Sequence, residues 1–260
     1  MWPFNLLRMR TLGPFLFSLY LWVVVALATL FFSCLILLSS LLGPLDPDRR
    51  LAHQLGNFWG TSLIKLNPFW RLELAGLKKI RKDESYVMVA NHASLSDIIC
   101  LFNLNRQFKW LAKKSLFGIP FLGWSMGVMG YVPLERGRHG SIKKSYGESL
   151  GWLRRNISIL IFPEGTRSRS GEIGQFKTGA FRLAVESQKP ILPIVLAGTQ
   201  NVISKGKAAF GAPGLAYVSV LSPIETKGLK PVDEKNLREK VESVMRAELK
   251  KRNRMIARVS

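Results

Sequence analysis

One stretch decides the fold: Tyr86-Val87-Met88-Val89-Ala90 leads directly into Asn91-His92-Ala93-Ser94-Leu95-Ser96-Asp97. The first five residues form a short apolar run, which predicts a buried β-strand. The apolar run after Asp97, Ile98-Ile99-Cys100-Leu101-Phe102, predicts a helix. His92 is therefore expected where a strand turns into a helix. Asp97 is expected in the first turns of that helix, near the positive end of its dipole.

The histidine and the carboxylate have two interpretations. Across such a turn, Asp97 accepts a hydrogen bond from Nδ1 of His92, which leaves Nε2 free as a general base. The alternative is a core histidine beside an unrelated N-terminal carboxylate, and a lone pair of this kind favours that alternative. The choice depends on the rest of the chain.

Composition limits the partners of the chain. Its 260 residues suffice for one large α/β domain with an appendage. Lys and Arg total 38 against 17 Asp and Glu, a formal net charge of +21. This surplus implies an anionic partner: nucleic acid, an anionic bilayer or a phosphorylated substrate. Cys34 and Cys100 lie in apolar runs without metal-ligand spacing, so neither a disulfide framework nor a zinc site is expected.

Residues 11–45 contain no charged side chain. About 20 apolar residues cross a bilayer, so this stretch is predicted to be a membrane segment that either spans the bilayer or re-enters one leaflet. Because the segment is longer than one perpendicular span needs, it could tilt, or it could bend near Pro14 or at Ser39-Ser40 and dip into one leaflet. A secretory signal is excluded because its apolar region is about half as long and no small-residue cleavage site follows.

Residues 49–70 follow with apolar side chains at spacings of three and four, many of them aromatic. This pattern predicts an amphipathic helix in the bilayer interface. An ordinary helix packed on the soluble domain fits the periodicity equally well. The position directly after the membrane segment favours the interface.

Residues 71–231 are predicted to form an α/β domain, a sheet flanked by helices. The expected strands are Arg71–Leu77, Tyr86–Ala90, Lys109–Ala112, Ile157–Phe162, Ile191–Leu196 and Leu215–Leu221. The expected helices are Ser96–Asn103, Ile142–Arg154 and Ala180–Ser187. Residues 232–260 predict a charged surface helix with a basic end. Attraction to anionic lipid accounts for this charge, since the chain has no nucleic-acid-binding signature.

A second polar stretch, Phe162-Pro163-Glu164-Gly165-Thr166-Arg167-Ser168, also follows a buried strand. The carboxyl ends of strands are where open α/β sheets bind ligands. Gly165 permits a tight turn, Thr166 offers a hydroxyl, and Arg167 has the planar fork that suits phosphate. A solvated polar turn is the alternative.

Three other stretches are basic. Phe176-Lys177-Thr178-Gly179-Ala180 opens a helix, and a lysine beside a helix N-terminus favours an anion. The other two are Gly130-Tyr131-Val132-Pro133-Leu134-Glu135-Arg136 and Trp110-Leu111-Ala112-Lys113-Lys114-Ser115-Leu116. In so basic a protein, charge alone singles out none of them.

One match to a catalytic pattern is rejected. Gly123-Trp124-Ser125-Met126-Gly127 fits G-x-S-x-G, which marks a nucleophile only between a strand and a helix, with its histidine well downstream. Pro120 precedes the match, and the only later histidine is His139. The small residues are therefore predicted to serve close packing.

Taken together, these stretches resemble the lysophosphatidic acid acyltransferase family, the 1-acyl-sn-glycerol-3-phosphate acyltransferases. The order of the family motifs is kept: N-H-x-x-x-x-D at Asn91 to Asp97, the block from Gly130 to Arg136, F-P-E-G-T-R-S at Phe162 to Ser168, and Leu192-Pro193-Ile194-Val195. Lys113 stands where the family has a lysine. The resemblance covers about residues 70–225, and the amino-terminal segment is similar to the family's membrane anchor.

The resemblance implies a function. His92 would act as general base on the sn-2 hydroxyl of lysophosphatidic acid, with Asp97 as its partner, and phosphatidic acid would be the product. The implied substrate-binding residues are Lys113, Arg136, Glu164, Gly165, Thr166 and Arg167. The acyl donor would be acyl-coenzyme A or acyl carrier protein, and neither a cofactor nor a metal is implied. The implied location is a membrane, with the catalytic face on the cytoplasmic side, which in a bacterium is the cell inner membrane.

Two alternatives stay open. The acceptor could be another lysophospholipid, glycerol 3-phosphate or a lyso-aminolipid, because the motifs fix the chemistry better than the acceptor. A different class of function is a serine-type lipid hydrolase that uses Ser125, or a membrane-binding protein without catalysis.

Overall fold

A computed structural model describes residues 5–67, 69–202 and 214–258, with side chains from Leu16 onward. Within these ranges seven strands form one sheet in the order β1-β7-β6-β2-β5-β3-β4. Their bounds are β1 Trp70–Ala75, β2 Val87–Ala90, β3 Phe108–Lys113, β4 Val132–Leu134, β5 Ser158–Ile161, β6 Ile191–Ala197 and β7 Gly214–Val220. The strands from β6 to β4 are parallel to one another, whereas β7 runs antiparallel to β6 and parallel to β1.

Helices cover both faces of this sheet. Their bounds are α1 Asn5–Ser39, α2 Arg50–Lys65, α3 Ser96–Phe102, α4 Leu122–Val128, α5 His139–Arg154, α6 Gly179–Ser187 and α7 Glu234–Ala257. The central strands β2, β5 and β6 are buried at every residue, as expected of parallel strands with helices on both sides. The α/β fold predicted from the sequence is confirmed.

Two hydrophobic cores lie on opposite faces of the sheet. On one face, side chains of β2 such as Met88 pack with Ile99 and Phe102 of α3 and with Met126 of α4. On the other face, side chains of β5 pack with α5, α6 and α7. Helix α7 buries one stripe, made of Leu237, Val241, Met245, Leu249 and Ile256, so the charged tail forms an outer wall of the second core.

The apolar segment forms one long helix, α1, which continues without a break past Pro14 and ends at the Ser39-Ser40 pair, where a 3-10 turn begins. Residues Leu16–Leu42 are long and apolar enough to cross a membrane. One side of α1 nevertheless packs on the domain: Leu21 and Ile36 are buried, and Thr29 accepts a hydrogen bond from the indole of Trp59 in α2 at 3.0 Å. Arg8 and Arg10 precede the uncharged segment in the sequence, and their side chains lie outside the described residues.

Helix α2 packs on α3 through small residues as well as through Trp59, whose ring lies 5.6 Å from that of Phe102. A Cβ atom on Gly60 would lie 2.6 Å from Cβ of Phe102, so only glycine permits this approach. His53 is buried beside them: its Nε2–H donates to the carbonyl of Arg106 at 2.9 Å, and burial, with Lys109 nearby, lowers its pKa to about 3. The apolar stripe is left exposed at Leu51, Phe58 and Leu66.

Lys109 ties the loop between α1 and α2 to the sheet. It is fully buried, and its ammonium donates to the carbonyls of Asp48 at 2.9 Å and of Met129 at 2.8 Å. The ammonium also lies 4.6 Å from the ring centre of Trp152, a cation–π distance. Burial lowers the pKa of Lys109 from 10.5 to about 7, despite the opposing effect of Asp46 and Asp48.

The predicted strands and helices are all present, with ends shifted by a few residues. Two elements were not predicted, β4 and α4. The first is only three residues long and contains Pro133, and the second contains Gly123 and Gly127, so neither has a clear periodicity. Gly123 does serve close packing, since a Cβ atom there would lie 2.3 Å from the carbonyl oxygen of Phe117. Residue 68 of the predicted interfacial helix and residues 259–260 of the tail lie outside the described residues.

Two glycine-to-alanine substitutions in helices should have opposite effects on stability. Gly60→Ala introduces a Cβ atom into the contact with Phe102, so we expect it to lower the free energy of unfolding by about 1–3 kcal/mol. Gly147→Ala in α5 adds a Cβ atom where no atom lies within 4 Å, so we expect a gain of up to about 1 kcal/mol from helix propensity. Denaturant unfolding of the two purified variants measures both. A Gly60→Ala protein as stable as Gly147→Ala would contradict the close approach of α2 and α3.

Lys109 should make stability depend on pH. Its pKa is about 7 in the folded chain and near 10.5 when unfolded, so between these values the unfolded chain binds more protons and stability rises with pH. Relative to Lys109→Met, the unaltered chain should gain about 2 kcal/mol between pH 7 and pH 9. Denaturant titrations across this range measure the difference, with the exposed Lys240→Met as control. A difference that stays constant with pH would refute the lowered pKa.

Candidate active site

The two predicted polar stretches meet at one edge of the sheet. Strands β2 and β5 are parallel neighbours, with Val89 beside Ile161, so the loops that follow them leave from the same edge. The backbone N–H of Ser168 donates to the carbonyl of His92 at 2.7 Å. The carboxylate of Glu164 accepts the backbone N–H of His92 at 2.9 Å and that of Gly174 at 2.8 Å. One loop is therefore fastened directly to the other.

His92 and Asp97 form a hydrogen-bonded pair. Nδ1 of His92 lies 2.7 Å from Oδ2 of Asp97, and the same oxygen accepts the backbone N–H groups of Ala93 at 2.7 Å and Ser94 at 2.8 Å. Because a carboxylate oxygen that receives two N–H groups is an acceptor, we assign the ring proton to Nδ1. Nε2 then carries the lone pair, as a general base requires. Asp97 is fully buried, whereas the His92 side chain is 15% exposed.

The turn that carries this pair is held from several sides. The side chain of Asn91 donates to the carbonyl of Leu196 at 2.9 Å and accepts its N–H at 2.8 Å, so it continues the pairing of β2 with β6. The hydroxyl of Ser96 lies within hydrogen-bond distance of Ser94, at 2.8 Å, and of the carbonyl of Thr199, at 3.0 Å. These contacts leave the turn little freedom, so His92 keeps its position relative to β5.

Phe162 and Glu164 form the environment of the imidazole. The ring of Phe162 stacks on that of His92, with centroids 4.0 Å apart and planes 10° from parallel. Burial raises the pKa of Glu164 above its ordinary value, although the two backbone N–H groups that it accepts oppose the rise. The imidazole is thus covered on one face and fixed through Nδ1, which leaves the Nε2 edge for a ligand.

A cavity of about 360 Å³ opens beside His92, between α5 and α6. His92, Arg136 and Gly165 line it together with Lys177. No acidic side chain belongs to its wall as the described residues define it. The cavity therefore combines positive charge with a mainly apolar wall, and an anionic ligand with an apolar part fits it.

The other predicted site residues take different places. Asp97 and Glu164 stand behind the imidazole loop as hydrogen-bond acceptors, as described above. Thr166 is exposed and Arg167 half-buried in the loop after Gly165, and Lys113 is exposed at the end of β3. These three residues are outside the cavity wall that the described part of the chain forms.

Comparison with known proteins identifies the family. The acyltransferase family model matches residues 71–197, which include both polar loops. The 1-acyl-sn-glycerol-3-phosphate acyltransferase of Saccharomyces cerevisiae is 34% identical over 229 residues, 85% of this chain and 73% of its own length. The chain belongs to the 1-acyl-sn-glycerol-3-phosphate acyltransferase family.

Two further relatives support the assignment of the chain to this acyltransferase family. The chloroplast 1-acyl-sn-glycerol-3-phosphate acyltransferase of Arabidopsis thaliana is 35% identical over 181 residues, which is 69% of this chain and 50% of the relative. The chain thus spans about half the length of its chloroplast relatives. The crystal structure of the 1-acyl-sn-glycerophosphate acyltransferase PlsC from Thermotoga maritima superposes with a TM-score of 0.81 at 27% identity, covering 94% of this chain and 98% of that one.

Three features of this acyltransferase-family site were not predicted from the sequence. The stacking of Phe162 on His92 and the bond from Glu164 to the backbone of His92 join residues about 70 positions apart, which no local pattern indicates. Lys177 did carry a signal, its position just before a helix, but that signal did not connect it with His92. The cavity wall makes the connection.

Proposed function

We propose that the chain transfers a fatty acyl group from a thioester donor to the sn-2 hydroxyl of lysophosphatidic acid, which yields phosphatidic acid. The observation that carries the proposal is the His92–Asp97 pair, whose imidazole lines the positive cavity. The names of the relatives support the acceptor, and the thioester donor is acyl-coenzyme A or acyl carrier protein.

The reaction needs one base. Nε2 of His92 takes the proton from the sn-2 hydroxyl, and Asp97 stabilises the imidazolium that forms. The acceptor oxygen attacks the thioester carbonyl, the carbon–sulfur bond breaks, and the leaving thiolate takes the proton back from Nε2. The ester and the free thiol are the products, so atoms and charge balance.

A covalent acyl-enzyme is not part of this proposal. Ser125 lies inside α4, which follows a 3-10 turn rather than a strand, and its buried hydroxyl points at the carbonyl of Ser33 in α1, 3.4 Å away. Cys100 is fully buried in α3, and burial raises the pKa of its thiol well above the ordinary value. Neither side chain has the exposure of a nucleophile, and the raised pKa of Cys100 is opposite to what a reactive thiol needs. These contacts count against the serine hydrolase.

The cations near the cavity suit the phosphate of the acceptor. Arg136 lines the cavity with His92, and its acidic neighbour Glu135 is already engaged by Lys114 at 3.0 Å and Arg138 at 3.4 Å. We assign the phosphate to Arg136, with Arg167 and Lys113 as further cations at the same end of the sheet. Glu164, Gly165 and Thr166 shape that end.

An apolar cavity of about 290 Å³ lies on the other face of the sheet, between α1 and the domain. Its wall is almost wholly apolar, with Trp22 and Ile36 from α1, Ile98 from α3 and Met126 from α4. It reaches Trp110, whose ring lies 5.5 Å from that of Phe162, the residue stacked on His92. A fatty acyl chain has the chemistry that this cavity accepts.

We further propose that α1 lies along the membrane within one leaflet and does not cross it. Its packed side extends from Ser18 to Ile36, about 27 Å of helix. A crossing α1 would take this part of the domain, with its polar groups, into the hydrocarbon. The opposite side of α1 is apolar and exposed, as are Phe58, Phe121 and Trp124 near it, so these side chains suit contact with lipid.

Substitutions of His92 and Asp97 test the proposed reaction. His92→Ala removes the base, and we expect transfer from acyl-coenzyme A to lysophosphatidic acid to fall at least about a hundredfold. Asp97→Asn keeps an acceptor of similar shape but removes the charge that stabilises the imidazolium, so we expect a comparable fall in kcat. Product formation by purified protein in lipid vesicles, with labelled donor, measures both.

The controls separate the alternatives. Ser125→Ala should transfer nearly as well as the unaltered chain, whereas loss of activity there, with release of free fatty acid in the absence of acceptor, would favour the hydrolase. Transfer to lysophosphatidylcholine instead of lysophosphatidic acid would agree with the roles of His92 and Asp97, but it would overturn the assignment of the acceptor's phosphate to Arg136. Full transfer by His92→Ala would overturn the mechanism.

The position of α1 predicts the accessibility of two sites. An amino-terminal epitope tag and the cysteine of Lys143→Cys, on α5, should lie on the same side of the membrane because α1 does not cross it. Impermeant reagents applied to intact and lysed expressing cells measure both sites, in a chain that also carries Cys34→Ser to remove the exposed native thiol. If one of the two sites reacts in intact cells and the other reacts only after lysis, α1 spans the bilayer.

A further inference from the structure

Lys177 is the second cation in the wall of the positive cavity, and neither the family motifs nor the assignments above give it a role. It follows Phe176, ten residues after Arg167, and directly precedes the turn into α6. Its position relative to His92 is fixed by the fold rather than by local sequence. We propose that Lys177 binds a phosphate ester of the substrate together with Arg136.

The backbone of Lys177 is attached to the loop after β5. Its N–H donates to the carbonyl of Pro163 at 2.9 Å, one residue before Glu164, whose carboxylate holds the backbone of His92. Lys177 is therefore connected to the catalytic turn through two hydrogen bonds and one short segment. A shift of His92 relative to Lys177 would require these bonds to break.

Gly165 sets the path of the Lys177 side chain. A Cβ atom on Gly165 would lie 3.2 Å from both Cε and Nζ of Lys177, so the aliphatic stem runs directly over this glycine. The φ angle of Gly165 is +75°, in the left-handed region that favours glycine. The glycine of F-P-E-G-T-R-S thus serves two purposes, since it permits the turn and leaves room for the lysine.

The charges around the cavity leave Lys177 available. Within the described part of the chain, Lys177 forms no ion pair, and none of the cavity's wall residues is acidic. The neighbouring carboxylates are engaged elsewhere: Glu135 with Lys114 and Arg138, and Glu186 with the hydroxyl of Tyr146 at 2.7 Å. Two cations that share one cavity without a carboxylate are a site for a doubly charged anion.

A phosphate ester is the anion that this reaction supplies, and in this respect the inference rests on the proposed function. Two sources share that chemistry: the phosphomonoester of the acceptor and the phosphate next to the pantetheine arm of the donor. The geometry requires only that the phosphate lies within reach of Nε2 of His92, because all three side chains line one cavity.

Steady-state kinetics with the full chain in lipid vesicles test the proposal. We expect Lys177→Met to raise KM for the substrate that carries the bound phosphate by about tenfold or more, which is the effect of losing a hydrogen bond between charged groups. Lys177→Arg should recover most of the loss because it keeps the charge. Lys240→Met, an exposed lysine on α7 outside the cavity, is the matched control and should leave both KM values unchanged.

Substrates without phosphate distinguish the two sources. A raised KM for lysophosphatidic acid that disappears with 1-monoacylglycerol as acceptor would identify the acceptor's phosphate. A raised KM for acyl-coenzyme A that disappears with an acyl-N-acetylcysteamine thioester would identify the donor's. A loss of equal size with both phosphate-free substrates, not recovered by Lys177→Arg, would overturn the proposal and leave Lys177 a structural role.

Direct binding separates this inference from the proposed function. Calorimetric titration of the protein in detergent with lysophosphatidic acid and with coenzyme A needs no turnover. Binding of either ligand that weakens about tenfold or more in Lys177→Met supports the site, even in a chain that transfers no acyl group, where the proposed function itself would fail. Unchanged binding of both ligands, together with normal transfer, would overturn the site and keep the function.

Discussion

The hydrogen bond from the backbone N–H of His92 to the carboxylate of Glu164 is the contact on which the site depends. It joins the loop after β2 to the loop after β5, and the parallel pairing of these strands brings both loops to one edge. The other oxygen of Glu164 accepts the N–H of Gly174, so one carboxylate fixes three segments. Burial disfavours the ionised form of this carboxylate, and the pKa of Glu164 is raised as a result. The shape of the turn therefore depends on a carboxylate whose two oxygens accept backbone N–H groups.

Lys109 shows a similar arrangement at the opposite end of the sheet. A fully buried ammonium without a carboxylate contact is unfavourable, and its lowered pKa expresses that cost. The carbonyls of Asp48 and Met129 and the ring of Trp152 partly compensate. Because Asp48 belongs to the loop between α1 and α2, the lysine fixes these two helices to the sheet. The position of α1 is thus determined by the domain as well as by its own hydrophobicity.

Local sequence patterns predicted most of the fold, and the reasons for the failures are physical. Apolar runs of four to seven residues identified the strands whose residues are all buried, such as β2 and β6. Strand β4 was not predicted because three residues with a central proline are too few to show a strand's hydrophobic pattern. The orientation of α2 was not predicted because its buried face includes Gly56, Gly60 and polar residues, while half of its apolar stripe (Leu51, Phe58 and Leu66) is exposed. In the site, the spacing of His92 and Asp97 was enough to predict that the two side chains pair. The position of Lys177 beside His92 depends on the tertiary fold and could not be predicted from local sequence.

The two faces of the sheet carry different cavities, as the proposed reaction between a lipid and a thioester would require. On the face of α1 and α2 lies an almost wholly apolar cavity, next to side chains that suit lipid. On the face of α5 and α6 lies the positive cavity with Arg136 and Lys177. The imidazole of His92 lines the positive cavity, and Phe162, stacked on it, lies against Trp110 of the apolar one. In the proposed reaction, phosphate and acyl chain would therefore occupy opposite faces of the sheet. The reacting atoms would meet at the strand ends, where the hydrogen bonds of Glu164 join the two loops.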